Sequence, residues 1–251
     1  MKKHLLTGVL ALGTLTVTSF LQSAPAQALS FNGSNVTIDS VDAGQSFLVN
    51  FDGNVEKTNI PGLTSQATFT FNGFTTVGTR TEAAFTVLLK NISSITSRTS
   101  ALGFDVPNFT LNGVGNDSGA LSGRTRVSGL FTNDRGGSLP NGFGNIEVCF
   151  TSGPTCQGGA SGGVFNNSSG TFNLVLALNS NNQTVNSLTL NNFGVRYQSI
   201  QGVIIDGKQQ TSGTGRGTPT PVPTPALIPA ALGMSAALLR KKKQEEEAEK
   251  A

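Results

Sequence analysis

The segment Gln66–Phe74 reads QATFTFNGF. Along an extended chain, side chains alternate from face to face. Ala67, Phe69 and Phe71 therefore share one side, and Thr68, Thr70 and Asn72 the other. FLVNF does the same with Phe47, Val49 and Phe51, and TFNLVLAL with Phe172, Leu174, Leu176 and Leu178, although Val175 and Ala177 make its second face partly apolar. A period of two is the mark of a sheet with one buried face. AAFTVLL, ALGFDV, NIEVCF, SLTLNNF and VRYQSI are further strand candidates, and clusters such as NFDGN, LNGVGNDSG, NDRGGSLPNGFG and GASGGVFNNSSG punctuate them as turns. No stretch between Leu29 and about Gly207 follows the 3.6-residue period of a helix. The pattern predicts an all-β chain with a single antiparallel β-sandwich or jelly-roll domain over residues 29–210. A β-barrel or β-solenoid is the alternative, the solenoid disfavoured by the lack of a fixed repeat.

Both ends differ from this middle. Residues 1–28 combine Lys2 and Lys3, an apolar run from Leu5 to Leu21, and a small-x-small site at Ala26-Gln27-Ala28. This reads as a secretory signal peptide cut by signal peptidase after Ala28. At the other end, residues 211–225 read as a linker, flexible where Gly and Ser dominate and extended where Pro alternates. Ala226–Leu239 is apolar but interrupted by Pro229. At about 1.5 Å per residue it spans about 21 Å, short of a hydrocarbon core of about 30 Å. The basic block Arg240, Lys241, Lys242 and Lys243 would hold the following end on the cytoplasmic side. Such a segment suits a temporary stop during export better than a permanent anchor.

Cleavage after Ala28 would remove His4, the sole histidine. The exported chain would then lack the base of a Ser-His-Asp or Cys-His arrangement and the commonest zinc ligand. The net charge of +3 is a property of the ends, since Leu29–Thr218 carries ten basic and ten acidic residues. Only Arg124 and Arg126 cluster, so no basic stripe for nucleic acid exists. The scattered acids single out no pair of the kind a glycosidase uses. With no Trp and with Tyr197 as the one Tyr, a sugar site would have to rely on polar loops or Phe. NGVGNDSGA (112–120) matches the calcium-binding nonapeptide only at Gly113, Gly115 and Asp117, and one incomplete copy reads as an ordinary loop. Sequons such as Asn35-Val36-Thr37 and Asn91-Ile92-Ser93 are what an Asn-, Ser- and Thr-rich chain contains by chance. No cofactor is expected.

Cys149 and Cys156 lie in CFTSGPTC around a Gly-Pro turn. In an oxidising compartment such a pair bridges. A redox role would favour two intervening residues near a βαβ pattern, and neither is present.

The segment PTPALIPAALGMSAALLRKKK resembles the PTPA-CTERM variant of the PEP-CTERM sorting signals known from cyanobacteria, which join a short proline motif, an apolar helix and a terminal basic cluster. The resemblance implies a sorting signal over residues 226–251. It also implies recognition near Pro223, Thr224, Pro225 and Ala226 by an exosortase-type membrane protease, followed by release or transfer to the outer surface. The sequence departs from that pattern by adding QEEEAEKA after the basic block. FGNIEVCFTSGPTCQGGASGGV and FGVRYQSI also resemble the cistern family of PEP-CTERM proteins. That family carries no assigned reaction, so the resemblance transfers no catalytic residue. The expectation is an exported, non-enzymatic protein of the cell surface or extracellular matrix, associated with exopolysaccharide or biofilm. A carbohydrate-binding module of the same fold is the first alternative, and a carboxylate-dependent polysaccharide hydrolase the second.

Overall fold

The computed structural model describes residues 29–115, 121–159 and 161–222. The expected signal peptide, sorting motif, apolar C-terminal helix and basic stop lie outside these residues. The described residues form strands and one short 3-10 turn, Ser40–Asp42. The strands are β1 (Ser30–Asn32), β2 (Asn35–Asp39), β3 (Ser46–Phe51), β4 (Asn54–Val55), β5 (Thr58–Asn59), β6 (Ser65–Val77), β7 (Arg80–Asn91), β8 (Arg98–Asp105) and β9 (Arg126–Gly129). They continue with β10 (Asn133–Leu139), β11 (Gly144–Thr151), β12 (Val164–Phe165), β13 (Ser168–Leu178), β14 (Ser187–Gln198), β15 (Ile204–Ile205), β16 (Lys208–Gln209) and β17 (Ser212–Pro221).

The predicted alternation is the observed one. Phe47, Val49 and Phe51 of β3, Ala67, Phe69 and Phe71 of β6, and Phe172, Leu174, Leu176 and Leu178 of β13 are all buried. The pairings between these strands are antiparallel. The main sheet follows the order β10-β11-β8-β14-β17-β3-β6-β7-β13-β9. It curls until its inner face meets itself. The ring of Phe69 on β6 lies 5.9 Å from that of Phe104 on β8, four places away in the sheet, and 5.7 Å from Phe193 on β14. Edge-on and tilted ring pairs of this kind bring large apolar areas together in favourable electrostatic orientations.

The two rims of the sheet, β9 and β10, are consecutive in sequence. Leu130 donates its N–H to Thr171 O of β13, whereas Thr132, two residues on, donates to Thr151 O of β11. Phe131 between them is buried and packs on Phe172, with ring centroids 5.0 Å apart. Three residues thus bridge the seam and leave a nearly closed, barrel-like sheet, with few open edges to aggregate.

Two sequence expectations need correction. SLTLNNF and VRYQSI are not separate strands: β14 runs through both. A register shift between Asn191 and Gly194 lets its first part pair with β2 and its second with β8 and β17.

The second correction concerns the expected linker, 211–225, and with it the domain limit at residue 210. Ser212–Pro221 is strand β17, paired with β14 over residues 212–216 and with β3 over 217–221. Its glycines serve close packing: a Cβ on Gly215 would collide with the Asp52 carbonyl, and one on Gly217 with Val49 and Phe193. Pro219 and Pro221 fall in the half of β17 that pairs on one side only, where a missing N–H is tolerated. Residues 212–221 of the spacer expected to hold the sorting motif away from the domain are therefore part of the domain, and 223–225 lie outside the described residues.

Candidate functional site

Two turns and one strand build a polar cleft at the surface. The first turn joins β4 to β5 through Glu56 and Lys57, both left-handed, with φ of 49° and 68°. Two-residue hairpins of type I′ need positive φ at both central positions, which favours Asn-Gly or Asp-Gly. The β15–β16 hairpin of this same chain obeys the preference with Asp206 and Gly207. Glu56 and Lys57 do not, so the first hairpin carries backbone strain of a kind that clusters at functional positions.

The second turn, between β10 and β11, holds Asn141 and Gly142 at φ of 56° and 77°. The Lys57 stem crosses Gly142 so closely that a Cβ there would lie 3.3 Å from Lys57 Cε. Glycine therefore suits this position both in conformation and in space. Strand β17 contributes Thr214 and Arg216. With Asp52, Asn54 and Phe143, these residues line a cavity of about 190 Å³.

Arg216 organises the cleft. Its guanidinium carbon sits 4.4 Å from the Phe143 ring centroid, and its Nη2 donates to Phe143 O at 2.9 Å. Its backbone N–H donates to Asp52 Oδ1 at 2.6 Å. The backbone N–H of Asp52 in turn donates to Arg216 O at 3.1 Å. The Tyr197 hydroxyl donates to Asp52 O at 3.0 Å from inside the core. Burial pushes the Tyr197 phenol up, so it stays neutral. Lys57 pairs with no carboxylate among the described residues, where Glu82 and Arg126 form an ion pair. Asn141 Nδ2 is buried with no acceptor among the described residues. A buried donor left unsatisfied costs about 1–3 kcal/mol. The cleft thus offers two cations, one carboxylate and an amide donor awaiting an acceptor.

The sequence did not single out these residues. Tyr197 is inside the core and offers no platform for a sugar. Phe143 is largely buried, with Arg216 close to its ring. The pair Cys149–Cys156 is a disulfide, with Cα atoms 5.7 Å apart and both residues buried. It fastens the loop after β11 against the β10–β11 ribbon. Arg126, read as half of a basic pair, is bound to Glu82.

The acids form no catalytic dyad at the cleft, where Asp52 is the one carboxylate. Asp105 and Glu147 do come together elsewhere, and burial pushes the Glu147 carboxyl up. However, Asp105 Oδ1 accepts Glu147 N–H at 2.7 Å and Glu147 Oε2 accepts Val106 N–H at 2.8 Å, so both tie neighbouring strand ends together. Among the described residues no group of three or more His, Cys, Asp or Glu is placed to hold a metal ion, and no helix is long and apolar enough to cross a membrane. No protein-family model matches the chain, and no curated protein matches it.

Proposed function

We propose that this chain is an exported all-β protein of the cell surface or extracellular matrix, delivered by its C-terminal PTPA-type signal, and that it binds polysaccharide without acting on it. The observation that carries the binding role is the unpartnered Asn141 amide beside Lys57 and Arg216. Sugars are dense in hydroxyl acceptors and donors. A ligand hydroxyl beside Asn141 Nδ2 satisfies the buried donor, and a second bonds to Asp52 or Lys57. Convergent polar groups in a concavity are what ligand orientation requires. The disulfide supports export, because such bridges persist in oxidising compartments and are rare in a reducing cytosol.

Binding is tested by titrating matrix polysaccharides into the exported protein and its Lys57→Ala and Asn141→Ala variants. Saturable binding that both variants weaken by about tenfold or more, a loss of about 1.4 kcal/mol, supports the reading. Absence of binding, or equal binding by all three proteins, overturns it. Sorting is tested by mapping the C-terminus of surface protein from the native host. Ends at or near Pro223–Ala226 are expected, whereas peptides containing Leu239 or Glu245–Glu247 on the surface form would sink the signal reading.

A further inference from the structure

A second cavity, of about 410 Å³, lies between Arg98 and Arg196 and is also lined by Gly159, Gln198, Ser199, Thr211 and Ser212. Both arginines are largely withdrawn from water, with 4% and 8% of their surface exposed. Arg98 clamps the loop that follows the disulfide: Nη1 donates to Gly162 O at 2.9 Å, and Nη2 to Gly159 O at 2.6 Å and to Gln198 Oε1 at 2.9 Å. Arg196 is only half engaged. Its Nε donates to Gln157 O at 3.2 Å and its Nη1 to Gly213 O at 3.1 Å, but its Nη2 has no hydrogen-bond partner among the described residues. No carboxylate among the described residues pairs with it. Loop clamping explains Arg98. It does not explain why a second, mostly buried guanidinium faces the same cavity with carbonyls for company.

Buried charges are ordinarily paired, because taking an ion out of water is costly. Here burial lowers Arg196 to about 10, still charged at neutral pH. Its free Nη2 faces the cavity's opening to solvent, so an anion entering there would supply the charge partner that no described carboxylate provides. The cavity wall adds Ser199, a non-glycine residue with φ of 55°, and Ser212. Gln198, Arg98 and Phe165 are directly opposed across β14, β8 and β12, so they form one cross-strand row. Phe165 ends that row as an exposed aromatic, with 59% of its surface open. A guanidinium pocket beside an open ring matches a sugar that bears an acid.

We propose that the Arg98–Arg196 cavity is an oxyanion site that takes the carboxylate or sulfate of an acidic sugar residue, with Phe165 under the sugar ring. The reading as an exported glycan-binding protein bears on where the sugar comes from; the site itself rests on the arginines.

The test is nuclear magnetic resonance titration of the exported, disulfide-bonded protein at low ionic strength with D-glucuronate, inorganic sulfate, and glucose as the neutral control. Saturable shifts are expected at Arg196 Nε and at the amides of Ser199 and Ser212 with glucuronate or sulfate, and none there with glucose. A response to one anion alone identifies the preferred oxyanion. Arg196→Gln should weaken binding by about tenfold or more, as expected on losing a charge-assisted donor. The wild-type titration decides the matter even if that variant does not fold. Phe165→Ala, at an exposed position, should weaken glucuronate but leave sulfate unchanged. Unchanged glucuronate binding by Phe165→Ala, or equal loss of both ligands, would remove the sugar from the proposal. No shift at Arg196, Ser199 and Ser212 with either anion overturns the site. If shifts appear instead at Lys57 and Asn141, the cleft beside Phe143 stands and this cavity falls; the reverse pattern has the opposite meaning.

Discussion

Glu82 and Arg126 meet side-on over strand β13, with Arg126 Nη1 2.7 Å from Glu82 Oε1 and Arg126 Nη2 2.8 Å from Glu82 Oε2. Glu82 belongs to β7 and Arg126 to β9, so the pair spans the strand between them. Glu82 Oε1 also accepts the Gly123 N–H, which ties the incoming loop to the sheet. The fork geometry matches two parallel charge-assisted bonds. The bond to Arg126 is the chief reason the Glu82 carboxyl is held below its ordinary value, against the opposing effect of burial.

A pH dependence follows from that depressed value. Its stabilising contribution is fully present above the unfolded value of 4.5 and is lost as pH falls through the lower native value. Glu82→Gln should cost about 2 kcal/mol at neutral pH, below the range for fully buried pairs because Arg126 is partly exposed. Denaturant melts from pH 7 to pH 3 should show a flatter acid limb for the variant than for the natural chain. Parallel acid limbs would show that the pair does not carry this dependence.

Reducing the disulfide should destabilise the domain by about 2–3 kcal/mol, the chain-entropy value for so short a loop. Its effect should reach further than stability. Gln157, Gly159 and Gly162 lie just beyond Cys156 and supply the carbonyls that hold Arg196 and Arg98. A Cys149→Ser, Cys156→Ser double variant should therefore lose affinity for glucuronate or sulfate while keeping the far-ultraviolet dichroism of the sheet. Unchanged anion affinity would separate the loop from that cavity.

Lys57→Gly should make the protein more stable and less able to bind. Glycine reaches the left-handed region without the penalty borne by a residue with a side chain, a difference of about 1 kcal/mol. The same change deletes the cleft's unpaired ammonium. Thermal melts and polysaccharide titrations on one sample check both halves. A loss of stability would show that the Lys57 stem packed on Gly142 matters more than the backbone strain.

A chain ending at Gln210 should fail to fold, whereas one ending at Val222 should melt cooperatively. Removing β17 separates β14 from β3 and opens the sheet at its middle. Gly215→Ala in the longer chain should cost several kcal/mol, since the added methyl meets the backbone carbonyl of Asp52, which cannot move without breaking the Tyr197 bond. A folded, cooperative 210-residue chain would restore the linker reading of residues 211–221.

The buried face of each long strand was legible because burial and alternation are the same physical fact seen twice. Phe69 and Phe172 each sit between polar neighbours, a local pattern that admits one inward side. The cysteine pair was legible because seven positions and a Gly-Pro turn bring the two sulfurs near each other without help from the rest of the chain. The cleft was not. Lys57 and Asn141 are 84 positions apart, and nothing in EK or PNG says that their turns face each other. Nor does VRYQ reveal that Arg196 shares a cavity with Arg98, since that depends on how β14 and β8 pair across a register shift.

The sequence by itself determined that the middle of this chain is antiparallel β structure, which residues face its core, and which two sulfurs join. These follow from the two-residue period and from short-range chain closure. Only the tertiary structure decided that TSGTGRGTPTP is a central strand. Glycine permits flexibility and close approach equally well; the Asp52 carbonyl lying where a Cβ on Gly215 would be makes the difference. Likewise, Arg98 and Arg196 are ordinary strand arginines until the sheet curls and the loop closes over them. Charge is written in the sequence, but which charges share a cavity is set by register and curvature, through contacts between residues far apart in the chain.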